Sequence, residues 1–232
     1  MRSIDEIAVV VQARLSSKRI PNKMLEPFAG STLTDICLEK IKNSKLIKPE
    51  NFYFSVYEPE LKELADRHGV QVWNRSEASA NSEGTPITEL FDWWEHLSDQ
   101  YKYVVVVSAC CPLLKIDTID EFIRSYANND NDGFLSVVEK RNYFWDHNHN
   151  LITPWPEGHD IMNTKYVKPT YETAQCLYAG RLDKLGQGIW MGRLYNEGEV
   201  GIFPIGEEEA FDIDYPDQLV TIEALYKQLV NK

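Results

Sequence analysis

Long apolar runs, paired cysteines and positive charge are all in short supply in this chain. No apolar stretch approaches the roughly 20 residues that cross a bilayer. The N-terminus carries a short Val-rich run where a secretion signal would have an apolar core and a small-residue cleavage site, so a cytoplasmic protein without a membrane partner is expected. The four cysteines, Cys37, Cys110, Cys111 and Cys176, have no C-x-x-C spacing, and an adjacent pair is poorly placed for zinc or a disulfide. Buried free thiols are the expectation. Against 36 Asp+Glu stand only 24 Lys+Arg, a net charge of -12, and no basic stripe carries interleaved aromatics. That balance argues against nucleic acid and anionic membranes, which both need broad positive fields. No internal repeat or low-complexity segment is visible.

What is there starts with 232 residues, 43% of them hydrophobic and 26% charged, enough for one α/β domain with an appended lobe. The scarce cations are concentrated. Arg14, Lys18, Arg19 and Lys23 follow directly on Ile7-Ala8-Val9-Val10-Val11. Such a Val-rich run reads as a strand over 7–13 buried on both faces, which belongs in a parallel sheet covered by helices. Ligands bind at the carboxyl ends of such strands, so a basic, Pro-stiffened loop there points to an anion, most simply a nucleoside triphosphate. A solvated basic turn is the plainer alternative.

Strand and helix signals then alternate as a doubly wound sheet requires. Ser31 or Thr32 can cap a helix with Leu33, Ile36, Cys37 and Ile41 on one face. Phe52, Phe54 and Val56 mark a strand, Pro59 opens a short helix that Gly69 can close, and 70–73 gives a third strand. Residues 74–84 read as a polar loop at the ligand edge. Thr85-Pro86 predicts an N-cap and first-turn proline for a continuous helix through Ile87, Leu90, Phe91, Trp94 and Leu97. Tyr103–Val107 is a second fully buried strand, 108–114 a small-residue turn, and a helix through Ile119, Phe122, Ile123 and Tyr126 returns the chain. Strands are expected at 134–138, 177–179 and 200–205, and a last helix through Leu219, Ile222, Tyr226 and Leu229. Residues 140–169 hold Tyr143, Phe144, Trp145, Trp155 and Tyr166 without a period. They read as an excursion that packs on a partner or over the site, the rest of 1–232 being a single domain. Its His147, His149 and His159 invite a zinc reading, but spacings of two and ten with no acidic cluster favour ordinary loop histidines.

Phe211-Asp212-Ile213-Asp214-Tyr215-Pro216 is the second chemical motif. On an extended segment alternate side chains share a face, so Asp212 and Asp214 point the same way. Two carboxylates make half a magnesium site, with waters and substrate phosphates completing the shell. The other reading makes Asp214 the cap of a helix starting at Pro216. Asp-x-Asp also suits a glycosyltransferase, and a nucleotide-binding module without turnover would carry the same loop. The basic loop on the first strand favours nucleotidyl transfer.

With Q-A-R-L-S-S-K-R-I-P-N-K at 12–23, N-R-S-E at 74–77, S-A-C-C-P-L-L at 108–114 and D-I-D-Y-P-D-Q-L at 212–219, the chain resembles the cytidylyltransferases that make CMP-activated sugar acids. The acylneuraminate cytidylyltransferases, with the CMP-Kdo synthetases as cousins, are the nearest group, and the likeness runs from 7 to about 228. It implies a Rossmann-like, open, mostly parallel sheet with helices on both faces, a homodimer formed partly by the excursion, CTP and Mg2+. By motif position, Arg14 and Lys23 resemble the triphosphate ligands, Ala13, Asn22, Arg75 and Ser108 fall at the nucleotide, and Asp212 and Asp214 resemble the metal carboxylates. Three departures follow. Ser16 stands where the family often has glycine, and Ser108-Ala109-Cys110-Cys111-Pro112 replaces Gln-Pro-Thr-Ser-Pro. Lys168-Pro169-Thr170-Tyr171-Glu172-Thr173 replaces the Arg-rich stretch before the family's Asn-Gly-Ala and leaves Lys165 and Lys168 as the nearby cations; the resemblance implies a sialic-acid-like sugar acid as acceptor, and these departures leave other sugar acids or a phosphonate as alternatives.

Overall fold

In the computed structural model, residues 1–81 and 84–230 are described. Strands in chain order are β1 (Ile7–Gln12), β2 (Pro27–Phe28), β3 (Ser31–Thr32), β4 (Phe52–Val56), β5 (Gln71–Asn74), β6 (Tyr103–Val107), β7 (Gly133–Lys140), β8 (Thr170–Arg181) and β9 (Val200–Ile205). Helices are α1 (Leu33–Lys42), α2 (Pro59–His68), α3 (Glu77–Ala80), α4 (Ile87–Leu90), α5 (Trp94–Ser98), α6 (Ile116–Ala127), α7 (Leu182–Gly186) and α8 (Pro216–Val230). Seven strands form one sheet in the order β5-β4-β1-β6-β8-β7-β9, and β2 and β3 pair separately. Only β8 runs against its neighbours β6 and β7, and the other sheet contacts are parallel.

The Val-rich runs feed two cores, one on each face. Ile7, Val9 and Val11 of β1, with Val105 and Val107 of β6, pack against α1, α2, α6 and α8. Ala8 and Val10, with Val104 and Val106, pack under Trp93, Leu97, Leu182 and Leu185. This is the doubly covered α/β sheet that uninterrupted apolar strands imply. Local signals hold as well. Thr32 caps α1 by accepting from the Asp35 N–H at 3.0 Å, Pro59 sits in the first turn of α2, and Gly69 ends that helix at φ 64°.

Four expectations are corrected. The helix expected to run from Thr85 to Leu97 is broken: α4 stops at Leu90 and α5 starts at Trp94. The Leu90 carbonyl is taken by two side chains, Gln12 Nε2 at 3.0 Å and Ser79 Oγ at 2.8 Å, instead of continuing a helical ladder. Thr85 is not the cap. Pro86 occupies that position without a side-chain bond, while the Thr85 hydroxyl donates to the Asn81 and Ala78 carbonyls. The polar stretch 74–84 is not all loop either, because Ser76 caps α3 by accepting from the Ser79 N–H at 3.0 Å. Ser82 and Glu83 lie outside the described residues. The strand expected at 177–179 extends over all of Thr170–Arg181.

Residues 141–169 leave the sheet between β7 and β8. A Trp145–Leu151 bridge and a tight turn held by Asp146 and Asn150 give the segment local order. Tyr143 and Val167 are buried, whereas Trp145, Trp155, Ile161, Met162 and Tyr166 stay exposed. His149 sits in that turn at φ 66°, and His159 stacks on Tyr166 with centroids 3.6 Å apart. Among the described residues no group of three or more His, Cys, Asp or Glu is arranged to hold a metal ion, and no helix is long and apolar enough to cross a membrane.

Candidate active site

Strand order reverses around β1: β4 lies on one side and β6 on the other. The chain therefore leaves β1 and β6 in opposite directions, which opens a crevice at their carboxyl ends. A cavity of ≈ 480 Å³ occupies it, a size usual for small-ligand sites. Arg14, Lys18, Arg19 and Lys23 of the basic loop line it, with Gln12, Ala13, Asn81, Cys110 and Asp214 among the other walls.

The loop is shaped by its own backbone. The Leu15 N–H donates to Glu58 Oε1 at 2.7 Å, and the Leu15 carbonyl receives the N–H groups of Ser17 and Asn22. Ile20 and Met24 anchor it in the core. Ser16 adopts no positive φ, so the missing glycine costs nothing there; the left-handed residue is Asn22, at φ 55°. Asn tolerates that region better than most residues. Asn22 is itself exposed and outside the cavity wall.

Lys23 is the centre of the charge arrangement, although only 8% exposed. Its ammonium donates to the Ile213 carbonyl and lies 3.3 Å from Asp214 Oδ1. Arg19 Nη2 meets the same carboxylate oxygen at 2.7 Å. Burial pulls the Lys23 pKa down, but the field of Cys110, Asp212 and Asp214 outweighs it and the ammonium ends above its ordinary value. Burial likewise pushes the Cys110 thiol up, against the pull of the Lys23 ammonium.

Asp212 and Asp214 face different cavities. Asp214 is on the large one. Asp212 lines a neighbouring cavity of ≈ 310 Å³ together with Lys140, Glu172, Gln175 and Phe211. Burial first, and then the Asp214 charge, raise the Asp212 carboxyl to about 6, with Lys23 and Arg19 pulling the other way. Its Oδ1 is buried without a hydrogen-bond partner. The segment is pinned to the end of β6 by the Ile213 N–H, which donates to the Cys110 carbonyl at 3.0 Å. The reading of Asp214 as a helix cap gives way to a different device. Gln218 in the first turn of α8 reaches back, and its Oε1 accepts from the N–H groups of Asp214 and Tyr215 at 2.7 and 2.9 Å.

The remaining sequence-derived residues are placed as follows. Arg75 is 4% exposed and sits behind the wall, its guanidinium on Ser79 and, at 3.5 Å, on the Ala13 carbonyl. Burial lowers its pKa to about 10. Ser108 accepts from the Cys110 N–H at 3.2 Å, shaping the turn after β6. Lys165 and Lys168 are exposed and line neither cavity; Lys140 is the cation of the smaller one, held between Glu172 and Glu207. Sequence reasoning missed Arg19, which the charge cluster contained but no motif singled out, and Cys110, which is a free thiol on the cavity rather than a core residue.

Clustered cations at the switch point of a mostly parallel sheet, with a carboxylate among them, mark an anion-binding site in a protein of the α/β class. Within that class the chain belongs to the cytidylyltransferase family, whose profile matches residues 8–229, and it is a CTP-using nucleotidyltransferase. Three solved structures share the fold. A CMP:2-keto-3-deoxy-manno-octonic acid synthetase complexed with CTP aligns with 97% of this chain and 99% of its own at a TM-score of 0.69 and 13% identity. A cytidylyltransferase from Leptospira borgpetersenii serovar Hardjo-bovis aligns over 97% and 92% at 0.63 and 17%. A 4-diphosphocytidyl-2C-methyl-D-erythritolsynthase from Anaerococcus prevotii aligns over 97% and 100% at 0.66 and 12%. No curated protein matches the chain.

Proposed function

We propose that the protein transfers CMP from CTP to an anionic acceptor, a sialic-acid-like sugar acid, and releases pyrophosphate. The supporting observation is the pair of adjoining cavities, one lined by Arg14, Lys18, Arg19 and Lys23 and the other bounded by Asp212 and Lys140. CTP fills the first and the acceptor enters the second. The acceptor hydroxyl oxygen forms a bond to the α-phosphorus and releases its proton to water, while the bond from that phosphorus to the β-phosphate bridge oxygen breaks and pyrophosphate leaves with that oxygen. Negative charge builds on the departing pyrophosphate, where Lys23 and its neighbouring cations offset it in a pocket partly withdrawn from water.

The residues that would hold a divalent ion are Asp212 and Asp214, although the two carboxylates line different cavities. The buried Asp212 Oδ1 has no partner, and carboxylate oxygens are the donors that magnesium prefers. When bound, Mg2+ would polarise the α-phosphate. Arg19 and Lys23 meanwhile hold Asp214 in place through its Oδ1. A homodimer built on 140–169 accounts for the exposed Trp145, Trp155, Ile161 and Met162.

The test is pyrophosphate release with each of four nucleoside triphosphates against a panel of sugar acids and phosphonates. Release with CTP and a sugar acid supports the reading. Release only with a phosphonate replaces the acceptor, and a preference for ATP sinks the cytidylyl assignment.

A further inference from the structure

Part of the large cavity is walled by neutral groups, and a closed ring of hydrogen bonds holds that part in place. Gln12 ends β1 and lines the cavity. Both ends of its carboxamide are engaged: Nε2 donates to the Leu90 carbonyl at 3.0 Å, and Oε1 accepts from Trp93 Nε1 at 3.2 Å. The Leu90 carbonyl also accepts from Ser79 Oγ at 2.8 Å. Ser79 Oγ in turn accepts from Arg75 Nε at 3.0 Å, and the guanidinium donates further to the Ser79 and Ala13 carbonyls. Ala13 follows Gln12 in the chain, so the ring closes.

Trp93 and Ser79 are 0% exposed and Arg75 is 4% exposed; none of the three lines the cavity. Burial matters twice. Hydrogen bonds strengthen one another away from water, and a broken one leaves a polar group unsatisfied. The guanidinium suits this place because its donors leave in fixed directions, so it can hold two carbonyls and a hydroxyl at once. The ring also fixes α3, whose last carbonyl, that of Ala80, receives Arg14 Nη1 at 3.1 Å and whose C-cap residue Asn81 completes the wall. Amides and carbonyls around Gln12, Ala13 and Asn81 suit a base and ribose, as ammonium and guanidinium groups at Lys18, Arg19 and Lys23 suit phosphates.

We propose that Arg75, Ser79 and Trp93 are positioning residues for the nucleoside half of CTP, acting together through Gln12 and the Ala13 backbone. The proposal rests on the CTP reading given above, and it separates nucleoside placement from phosphate capture.

Ser79→Ala, Trp93→Phe and the double variant test it by calorimetric titration with CTP, CMP and inorganic tripolyphosphate, well below each variant's melting temperature. Each single change should weaken CTP and CMP by the same factor, about tenfold for the one hydrogen bond that Trp93→Phe removes and at least as much for Ser79→Ala, which removes the Oγ bonds to both Leu90 and Arg75. Tripolyphosphate affinity should fall far less, because Arg19 and Lys23 are held on Asp214 and take no part in these bonds. Both changes bear on the Gln12 carboxamide, Trp93 directly at Oε1 and Ser79 through the Leu90 carbonyl that it shares with Gln12 Nε2, so the double variant should lose less than the product of the two single losses, a non-additivity that independent structural damage would not produce. Should Trp93→Phe not fold, Ser79→Ala keeps the ligand comparison. Wild-type CMP affinity in Ser79→Ala, an equal loss for tripolyphosphate, or multiplying losses in the double variant would each overturn the proposal. A wild-type protein that binds tripolyphosphate but no cytidine nucleotide overturns the CTP reading itself, and the proposal with it.

Discussion

Replacing Asp212 by Asn should stabilise the metal-free protein at neutral pH while abolishing turnover. The Asp212 carboxyl is held at about 6 against an ordinary 3.8, by burial and then by the Asp214 charge. The folded chain therefore keeps this proton up to about pH 6, whereas the unfolded chain releases it near pH 3.8. Between those values the native state binds more protons, so its stability falls as pH rises, and above pH 6 the full cost of the buried charge is present. The displacement corresponds to about 3 kcal/mol as an upper bound. Asp212 is only half-buried, and solvent screening brings the expected cost to about 1–2 kcal/mol. Asn keeps the shape and carries no charge, so its curve lacks this decline. Urea unfolding of both proteins in EDTA, from pH 4 to 8, measures the difference directly. The Asn variant should gain on the wild type from pH 4 to about 6.5 and then hold a constant lead. Added Mg2+ should close the gap by stabilising the wild type alone. Parallel pH curves, or an Asn variant that is the less stable at pH 7, would refute the account of Asp212 as a carboxylate strained for function.

Two further outcomes follow from the charges and the surface. Lys23→Ala should weaken CTP by roughly 10- to 100-fold, the loss of about 1.5–3 kcal/mol for one charge-assisted contact, and weaken CMP far less. Equal losses in titrations with the two ligands would place Lys23 away from the leaving phosphates. Sedimentation at micromolar concentration should give a dimer, and replacing Trp145 and Trp155 by Ser should dissociate it; a wild-type monomer, or a dimer that survives both changes, rejects 140–169 as its interface.

Much of the layout was legible in the chain itself. Val9, Val10, Val11 and Val104 to Val107 announced strands covered on both faces, because no other element buries consecutive apolar side chains in so short a run. The Arg14–Lys23 loop could be assigned to an anion because ligands gather where such strands end. Thr32, Pro59 and Gly69 marked helix ends through purely local chemistry. The homopolar signals failed where two distant groups compete for one atom. The period of Ile87, Leu90, Phe91, Trp94 and Leu97 suited one helix, yet Gln12 and Ser79 capture the Leu90 carbonyl and end it. Gln12 lies 78 residues away in sequence.

The amino-acid sequence by itself determined the alternation of elements, the basic loop and the two carboxylates, since each depends on neighbours a few residues apart. Only the tertiary structure decided how they are used. It set Arg19 and Lys23 on Asp214, turned Asp212 toward a second cavity, brought Cys110 to the first and drew Arg75 behind the wall. Those outcomes depend on β1 lying between β4 and β6 and on the pinning of 211–214 to the end of β6. Side chains up to 191 positions apart in the chain meet there, and no periodicity or propensity encodes which donor reaches a shared acceptor first.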